Sequence, residues 1–433
     1  MTMPLSTQTP PGPRASTGPG PGPVNEPPRC RLCAAPLTRT FVDLGMSPPC
    51  ESYLSVDQLD QPETFYPLHV RVCESCLLVQ LPAYVTPESV FSDYAYFSSY
   101  SSSWVEHARR FVEQTVHDLR LGPDSRIVEV ASNDGYLLQH ALPLGIPVLG
   151  IEPAANIAEV ARARGVPTEC RFLGEEVGHQ LADRYGKADL VIGNNVLAHV
   201  PALLDFVRGL RALVKDGGLV SLEFPHLLRL IEQRQYDTIY HEHFSYLTLR
   251  TAARALATAD LVVVDVVELP THGGSLRVLA RPAASAESRS ARVAELLAEE
   301  EAAGLHTIDG YTGFAAAVLA VKSDLLGFLV DAARNGRSVA GYGAPGKGNT
   351  LLNHCGIRAD LLPFTVDRNI HKQGKFLPGT HIPVHPPERL DLLRPDFVLV
   401  LPWNLRQEVI QQLAHAREWG GRFVVPIPHL EIL

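Results

Sequence analysis

The chain has 433 residues with a formal net charge of -9, and 45% of its residues are hydrophobic. This length exceeds one ordinary domain, so we expect two or three domains with sizeable apolar cores. The acidic balance argues against a nucleic-acid partner, although a local basic pocket could still bind a small anion.

The N-terminal stretch, residues 1–28, is rich in Pro, Gly, Ser and Thr and has almost no large apolar side chains. Such a composition cannot offset the entropy lost on ordering, which predicts a disordered tail. The stretch also lacks the apolar segment of a secretory signal, and no apolar run approaches the roughly 20 residues that span a bilayer. We therefore expect a cytoplasmic protein without a membrane anchor, either a monomer or a weak homo-oligomer.

Two Cys-x-x-Cys pairs mark residues 29–86 as a small module of their own. Each pair places two thiolates on one short arc, and two such arcs make a tetrahedral four-sulfur site for zinc. A redox-active pair is the alternative, but two pairs in one module favour a metal. Because four cysteines close the coordination shell, we predict a structural zinc bound by Cys30, Cys33, Cys73 and Cys76.

A segment dense in tyrosine and serine opens the second predicted domain, residues 87–282. Its tyrosines, which include Tyr94 and Tyr96, could pack two domains together or line a cleft. The apolar residues from Trp104 to Leu119 then recur at helical spacing, which predicts an α-helix.

Strand and helix patterns alternate through the rest of this domain. The repeated units predict a doubly wound, mostly parallel, Rossmann-like sheet that ends in a hairpin with Thr271-His-Gly-Gly274 as its turn. The predicted strands cover residues 126–131, 147–152, 188–193, 218–223, 261–269 and 275–279, and a helix over 136–142 follows the first of them.

Ligands of such sheets lie beyond the carboxyl ends of the strands. The first strand carries Glu129 and runs into Asn133-Asp134-Gly135, where a glycine lets the backbone approach a ligand. The second strand ends in Glu152, whose carboxylate could accept two ribose hydroxyls. This turn lacks two glycines of G-x-G-x-x-G and makes little provision for a pyrophosphate. S-adenosylmethionine, with a sulfonium and a free amino-acid end, therefore fits better than a dinucleotide, and a sheet without a cofactor is the alternative.

Two polar clusters follow later strands at the same edge. Asn194 could hold the cofactor or the substrate, and His199 is either an active-site group or a buried core histidine. Tyr240-His-Glu-His-Phe-Ser-Tyr246 is the densest group of titratable residues. Histidine is the natural proton acceptor at neutral pH, and a neighbouring carboxylate can orient it. The His-x-His pair could instead bind a metal, although no third ligand is apparent nearby.

Residues 283–433 begin with Ala-rich helical stretches and continue as a second, smaller α/β domain with a Rossmann-like pattern. A strand near its start runs into Gly341-Tyr-Gly-Ala-Pro-Gly-Lys-Gly348, a turn that contains Tyr342 and Lys347. Backbone N–H groups and one lysine could hold the diphosphate of a substrate. A plain strand-to-helix turn is the alternative, and NAD binding by this domain has weak support.

In this order, the paired Cys-x-x-Cys, VASNDGYLL, NNVLAHV, YHEHFSYLT and GYGAPGKGNTLLN motifs resemble the S-adenosylmethionine-dependent sugar C-methyltransferases of antibiotic deoxysugar pathways. The resemblance spans residues 28–433 and departs from the family only in the long Pro-rich start. It implies an N-terminal zinc module, a central methyltransferase domain and a C-terminal α/β domain. It also implies a substrate like that of the 3-C-methyltransferases of TDP-linked 4-keto deoxysugars.

The resemblance further implies roles for individual side chains. It implies that His243 is the general base and that Glu242 and Tyr240 assist it. It also implies that His199 is another active-site group and that one of Tyr94 and Tyr96 lines the pocket.

This chemistry requires a carbon nucleophile. A C–H bond beside a ketone can yield an enolate, whereas an ordinary sugar C–H bond cannot, so the enzyme needs a base on that proton and donors for the oxyanion. We therefore expect methylation of the carbon beside the ketone, C3 by resemblance. A sugar-nucleotide reductase that uses NAD(P) and a non-catalytic zinc scaffold are the competing hypotheses.

Overall fold

The computed structural model describes residues 27–86, 97–286 and 288–433. The predicted tail, up to residue 26, and both Tyr94 and Tyr96 lie outside these ranges.

The N-terminal module is built on a four-stranded antiparallel sheet in the order β1-β2-β3-β9. Its first three strands come from the module itself, whereas β9 belongs to the YHEHFSYLT motif of the central domain. The ranges are β1 (Arg39–Ser47), β2 (Tyr66–Val72), β3 (Val79–Gln80) and β9 (Ser245–Tyr246). The second cysteine pair precedes β3, which pairs with β9, so the predicted metal site is connected directly to this motif.

The central domain contains a seven-stranded sheet in the order β10-β11-β8-β7-β4-β5-β6. Neighbours from β8 to β6 run parallel, whereas β10 and β11 form an antiparallel hairpin at the opposite edge, as predicted. The ranges are β4 (Ile127–Val130), β5 (Val148–Ile151), β6 (Thr168–Glu169), β7 (Ala188–Asn194), β8 (Val214–Pro225), β10 (Leu261–Leu269) and β11 (Ser275–Pro282).

Helices alternate with these strands and cover both faces of the sheet. Their buried sides carry the alanines and branched residues that the helical spacing in the sequence indicates. They are α1 (Ser102–Leu119), α2 (Ala155–Ala163), α3 (Glu175–Tyr185), α4 (Leu203–Leu213), α5 (Leu227–Glu232) and α6 (Leu249–Ala257).

The helix expected over residues 136–142 is wrong. The structure has two short 3-10 turns there, Leu138–His140 and Leu142–Leu144. Pro143 has no N–H to donate, and Gly145 takes a left-handed φ of 70°, so an α-helix cannot continue through this stretch.

The C-terminal domain is a second α/β unit with a six-stranded sheet in the order β14-β13-β12-β15-β16-β17. All neighbours are parallel except β16 and β17. The strands are β12 (Val339–Tyr342), β13 (Thr365–Val366), β14 (Val384–His385), β15 (Phe397–Val400), β16 (Arg422–Val425) and β17 (Glu431–Ile432). The helices that follow the central domain are α7 (Ala291–Ala302), α8 (Phe314–Arg334), α9 (Gly346–Cys355), α10 (Glu388–Leu393) and α11 (Arg406–Gln412).

The packing boundary between the last two domains falls after α7. Val293 and Leu296 of this helix lie in the same apolar cluster as Leu249 and Val263 of the central domain. The sequence assigned α7 to the C-terminal domain, whose own core begins with α8.

Helix α8 joins the N-terminal module to the C-terminal domain. Phe314 stacks on Phe41 of β1 with ring centroids 4.6 Å apart, and Val318 and Val321 are buried in the same core as the C-terminal strands. By length and composition, Ile308–Arg334 is apolar enough to cross a membrane, so the expectation that no apolar run approaches the length of a membrane span is wrong. A core helix passes the same test, so this single helix is weak evidence for a membrane span.

Candidate active site

A cavity of about 820 Å³ lies where the three domains meet. The strands β4, β5 and β7 end at its wall in Val130, Ile151 and Asn194. The cavity is therefore at the carboxyl ends of the parallel strands, where the topology of the sheet predicts a ligand.

Glu152, directly after β5, lines this cavity and is almost fully buried. Its Oε2 accepts from the backbone N–H of Asn133 at 3.0 Å, and its Oε1 accepts from that of Ala154 at 2.9 Å. Burial raises the pKa of the carboxyl to about 7, although these two donors oppose the shift. Each oxygen retains a second lone pair, so the carboxylate can still accept two hydroxyls.

Asn194 and Asn133 lie on the same wall. The amide oxygen and nitrogen of Asn194 are buried and make no hydrogen bond to any residue that the structure describes. Buried polar atoms are normally paired, so this side chain needs a polar ligand. Asn133 accepts from the backbone N–H of Ser98 at 2.8 Å, which attaches the segment before α1 to the same site. These groups fit the ribose and amino-acid parts of S-adenosylmethionine.

Three predicted cofactor residues, Glu129, Asp134 and Gly135, lie behind this wall and do not line the cavity. Burial raises the pKa of Glu129 well above its usual value. Asp134 forms an ion pair with Arg164 at 3.0 Å. Gly135 has a φ of 77°, and a Cβ there would lie 2.9 Å from Val166, so packing rather than a ligand requires glycine at this position.

His243 of the YHEHFSYLT motif is buried and lines the cavity. Its Nδ1 donates to the backbone carbonyl of Thr238 at 2.7 Å. A carbonyl can only accept, so the ring proton lies on Nδ1, and the neutral ring keeps its lone pair on Nε2. Burial and the neighbouring His199 lower the pKa of His243 well below its usual value, and the ring is therefore a free base at neutral pH.

The other residues predicted beside His243 surround it. Its ring centroid lies 4.0 Å from that of Tyr240 and 4.6 Å from that of His199. His199 donates to the backbone carbonyl of Glu242, and burial lowers its pKa to about 4. The cavity is lined by all four of these residues, His199, Tyr240, Glu242 and His243. His241 packs instead against Tyr66, with centroids 5.8 Å apart, so the two histidines of the motif do not face one site.

The four predicted zinc ligands come together in the N-terminal module. All four Sγ atoms lie within 4.8 Å of one another, and the distances are 3.5 Å from Cys30 to Cys76 and 3.5 Å from Cys33 to Cys73. A closed set of four thiolates is the donor set of a structural zinc site. Gln80 of β3 donates to Cys30 at 3.1 Å, which ties the site to the strand that pairs with β9.

The N-terminal module also contributes directly to the cavity, through Cys50 and Glu51. Cys50 Sγ lies 3.9 Å from a carboxylate oxygen of Glu242, and burial raises the pKa of the thiol. Glu51 forms an ion pair with Lys372 of the C-terminal domain at 3.3 Å.

Lys347 reaches the same cavity from the first turn of α9. Its Nζ donates to Asn404 at 2.9 Å and lies 4.9 Å from the ring centroid of Trp403. Trp403 in turn donates from Nε1 to the buried carboxylate of Asp237 at 2.6 Å. Burial lowers the pKa of Lys347, and the charge of Asp237 opposes the shift.

Tyr342, predicted beside Lys347, is not among the lining residues, and its hydroxyl donates to Gln412 at 2.9 Å.

Several lining residues were not predicted as site residues. The sequence predicts the hairpin turn only as a structural feature. Distant elements bring these side chains in, so no local pattern marks them; they are Cys50, Glu51, Trp104, Arg171, His272 and Lys372.

Family models match three consecutive parts of the chain. A zinc binding domain matches residues 30–91, a methyltransferase domain matches residues 104–266, and a C-methyltransferase C-terminal domain matches residues 270–428.

Similar proteins are found among methyltransferases. The C-methyltransferase NovU of Streptomyces niveus is 37% identical over 411 residues, which are 95% of this chain and 97% of NovU. A ubiquinone biosynthesis O-methyltransferase of Methylobacterium sp. (strain 4-46) is 28% identical over 35% of this chain and 67% of its own length. The solved S-adenosylmethionine-dependent methyltransferase of Clostridium acetobutylicum ATCC 824 aligns with a TM-score of 0.34 at 12% identity, over 41% of this chain and 91% of its own.

Proposed function

The chain belongs to the family of S-adenosylmethionine-dependent C-methyltransferases with an N-terminal zinc module, and we propose that its substrate is a TDP-linked 4-keto deoxysugar, methylated at C3. S-adenosylmethionine supplies an electrophilic methyl group on its sulfonium. Glu152 binds the ribose hydroxyls, and Asn194 and Asn133 bind polar groups of the same molecule.

The hydrogen bond from His243 Nδ1 to the carbonyl of Thr238 carries this proposal. It leaves the lone pair of a neutral imidazole on Nε2, inside a cavity that also holds the cofactor residues. Such a ring can remove a proton from a carbon acid. Only a C–H bond beside a carbonyl is acidic enough for this base, which favours a keto sugar over an ordinary one.

Tyr240 and His199 hold the base in place. Both rings lie against that of His243, and burial keeps the pKa of Tyr240 well above its usual value, so its hydroxyl stays protonated. Glu242 accepts from the thiol of Cys50 and, through its backbone carbonyl, from His199. These contacts fix the direction of the base relative to the substrate.

The nucleotide part of the substrate requires positive charge at the other end of the cavity. Lys347 and Lys372 are two cations that the C-terminal domain contributes to its lining. Lys372 is held by Glu51 and by the hydroxyl of Tyr53, at 2.9 Å, whereas Lys347 has only uncharged hydrogen-bond and ring partners. We assign the interaction with the diphosphate to Lys347.

The competing reductase and scaffold hypotheses have less support. The C-terminal residues match a C-methyltransferase C-terminal domain, and the Gly-rich turn opens into the same cavity as His243. A dinucleotide site or a non-catalytic protein does not require a buried neutral base at that position.

The test is replacement of His243 by Asn, which keeps much of the shape but removes the basic nitrogen. Loss of a general base typically lowers turnover by ~10²–10⁴-fold, and binding of both ligands should survive. Deuterium uptake from solvent at the carbon beside the ketone, measured without the methyl donor, should occur in the wild type and not in the variant. His179→Asn on the exposed face of α3 is the matched control and should behave as wild type.

Two outcomes would contradict this proposal. Full turnover by His243→Asn would move the base to another residue, with His199 and Tyr240 the next candidates. A wild-type protein that binds S-adenosylmethionine but neither exchanges nor methylates a TDP-linked 4-keto deoxysugar would exclude the substrate class.

A further inference from the structure

The turn between β10 and β11 has a conformation that a simple hairpin does not require. His272 takes φ 56° and ψ 16°, in the left-handed region that few side chains adopt, and it is followed by Gly273 and Gly274, both with positive φ. Unusual backbone conformations of this kind persist only where their surroundings determine them, and they cluster at functional sites.

Close contacts and hydrogen bonds fix the backbone conformation of this turn. A Cβ on Gly273 would lie 2.7 Å from the ring of Trp403, and one on Gly274 would lie 2.9 Å from Arg229. Gln235 donates to the carbonyl of Gly273 at 2.6 Å, and the hydroxyl of Thr271 donates to the buried Glu223 at 3.0 Å. The turn is therefore held between the central and C-terminal domains.

This arrangement directs the imidazole of His272 into the cavity. Asn195 donates from Nδ2 to Nε2 of His272 at 3.1 Å, which leaves the ring proton on Nδ1. The ring also meets the edge of Trp104, with centroids 5.3 Å apart. Asn195 itself has a left-handed φ of 52°, so two unusual backbone positions cooperate to hold one imidazole.

The proposed reaction requires a donor that the residues assigned above do not provide. When His243 removes the proton, the C–H electron pair forms a C=C bond and the carbonyl π pair moves onto oxygen. The new oxyanion needs a positioned hydrogen-bond donor. Tyr240 packs against the base with its ring tilted by 32°, and Lys347 is assigned to the diphosphate, whereas His272 lines the cavity from the turn between β10 and β11.

We propose that His272 donates a hydrogen bond from Nδ1 to the ketone oxygen of the substrate and stabilises the enolate that His243 creates. This assignment rests on the proposed function. The C=C pair then forms the new C–CH3 bond, and the S–CH3 bond of the methyl donor breaks with its electron pair left on the now neutral sulfur. The electron pair on oxygen re-forms the C=O bond, and the proton on His243 passes to solvent.

A neutral imidazole suits this role better than a charged one. Burial and the charge of Lys347 lower the pKa of His272 to about 4, so the ring carries one proton at neutral pH. A neutral ring polarises the carbonyl but keeps its own proton. The enolate therefore stays anionic and nucleophilic until methyl transfer.

The test uses His272→Gly and His272→Asn, two residues that tolerate a left-handed backbone. Both should lower deuterium uptake beside the ketone of a TDP-linked 4-keto deoxysugar, without methyl donor, by about 10²–10³-fold. Methyl transfer should fall by the same factor, while the dissociation constants of both ligands and the melting temperature stay near wild type. His381→Gly is the matched control, because His381 also has a left-handed φ, of 55°, but lies outside the cavity.

The outcomes separate the two proposals. Wild-type deuterium uptake with slow methyl transfer in both variants would place His272 in alignment of the methyl donor and overturn its oxyanion role. Unchanged rates of both reactions would exclude it from catalysis. Failure of the wild type itself to exchange would count against the proposed function instead.

Discussion

Ionisation of Glu152 should control the affinity for S-adenosylmethionine. Only the ionised carboxylate can accept two ribose hydroxyls, and burial raises the pKa of this group to about 7 in the unliganded protein. If only the ionised form binds, about one molecule in eleven is competent at pH 6 and about ten in eleven at pH 8. The dissociation constant should therefore fall about tenfold from pH 6 to pH 8, equivalent to ~1.4 kcal/mol.

Calorimetric titration of wild type and Glu152→Gln across this pH range is the assay. The amide cannot ionise, so the variant should lose the tenfold dependence, whereas any contribution from the amino group of the ligand is common to both proteins. The pH slope of the dissociation constant is the readout, and its absolute value is not. The Gln amide nitrogen would face the backbone N–H of Asn133 or Ala154, which leaves a donor unpaired at a cost of ~1–3 kcal/mol. Equal pH slopes in the two proteins would refute the assignment of Glu152 to the ribose.

Three further predictions concern the other two domains. Removal of zinc by a chelator, or Cys73→Ser, should lower the melting temperature and turnover together, since β3 pairs with β9 next to the base; an active metal-free protein would argue against this. Lys347→Met should raise the KM of the sugar nucleotide about 10-fold or more and change the dissociation constant of S-adenosylmethionine little, as steady-state kinetics and calorimetry can show; equal effects on both ligands would place the diphosphate elsewhere. Gly346→Ala should destabilise the protein by ~1–3 kcal/mol in denaturant unfolding, because its Cβ would lie 2.8 Å from the sulfur of Cys50, whereas Gly327→Ala in open space on α8 should not; equal stabilities would contradict this contact between domains.

The parts of the site that sequence predicted are local in the chain. Two Cys-x-x-Cys arcs, an acidic residue after the second strand and a histidine-rich motif after the fifth each carry their chemistry within a few residues. Because parallel strands bring their carboxyl ends to one edge, the pattern of strands alone places Glu152, Asn194 and His243 near one another, and the structure confirms that all three line one cavity.

Other expectations depended on the direction in which a side chain points, which a sequence motif does not determine. Gly135 and Asp134 belong to the same turn as Asn133, yet only Asn133 faces the cavity, because the left-handed backbone at Asn133 and Gly135 turns the chain away. Tyr342 sits in the Gly-rich turn with Lys347, but it ends a strand and points to α11 instead.

The sequence by itself predicted the three-domain order, the four cysteines of the metal site and the sheet class, because each depends on periodicity or spacing along the chain. The role of His243 as the base rests on the resemblance and stays a proposal. Tertiary structure alone decided that Cys50, His272 and Lys372 share a cavity with His243, since they come from three different domains. Their positions follow from packing between domains, such as β3 on β9 and the hairpin turn on Trp403. Contacts of this kind leave no periodic signal, because they join residues more than a hundred positions apart through the shapes of whole surfaces.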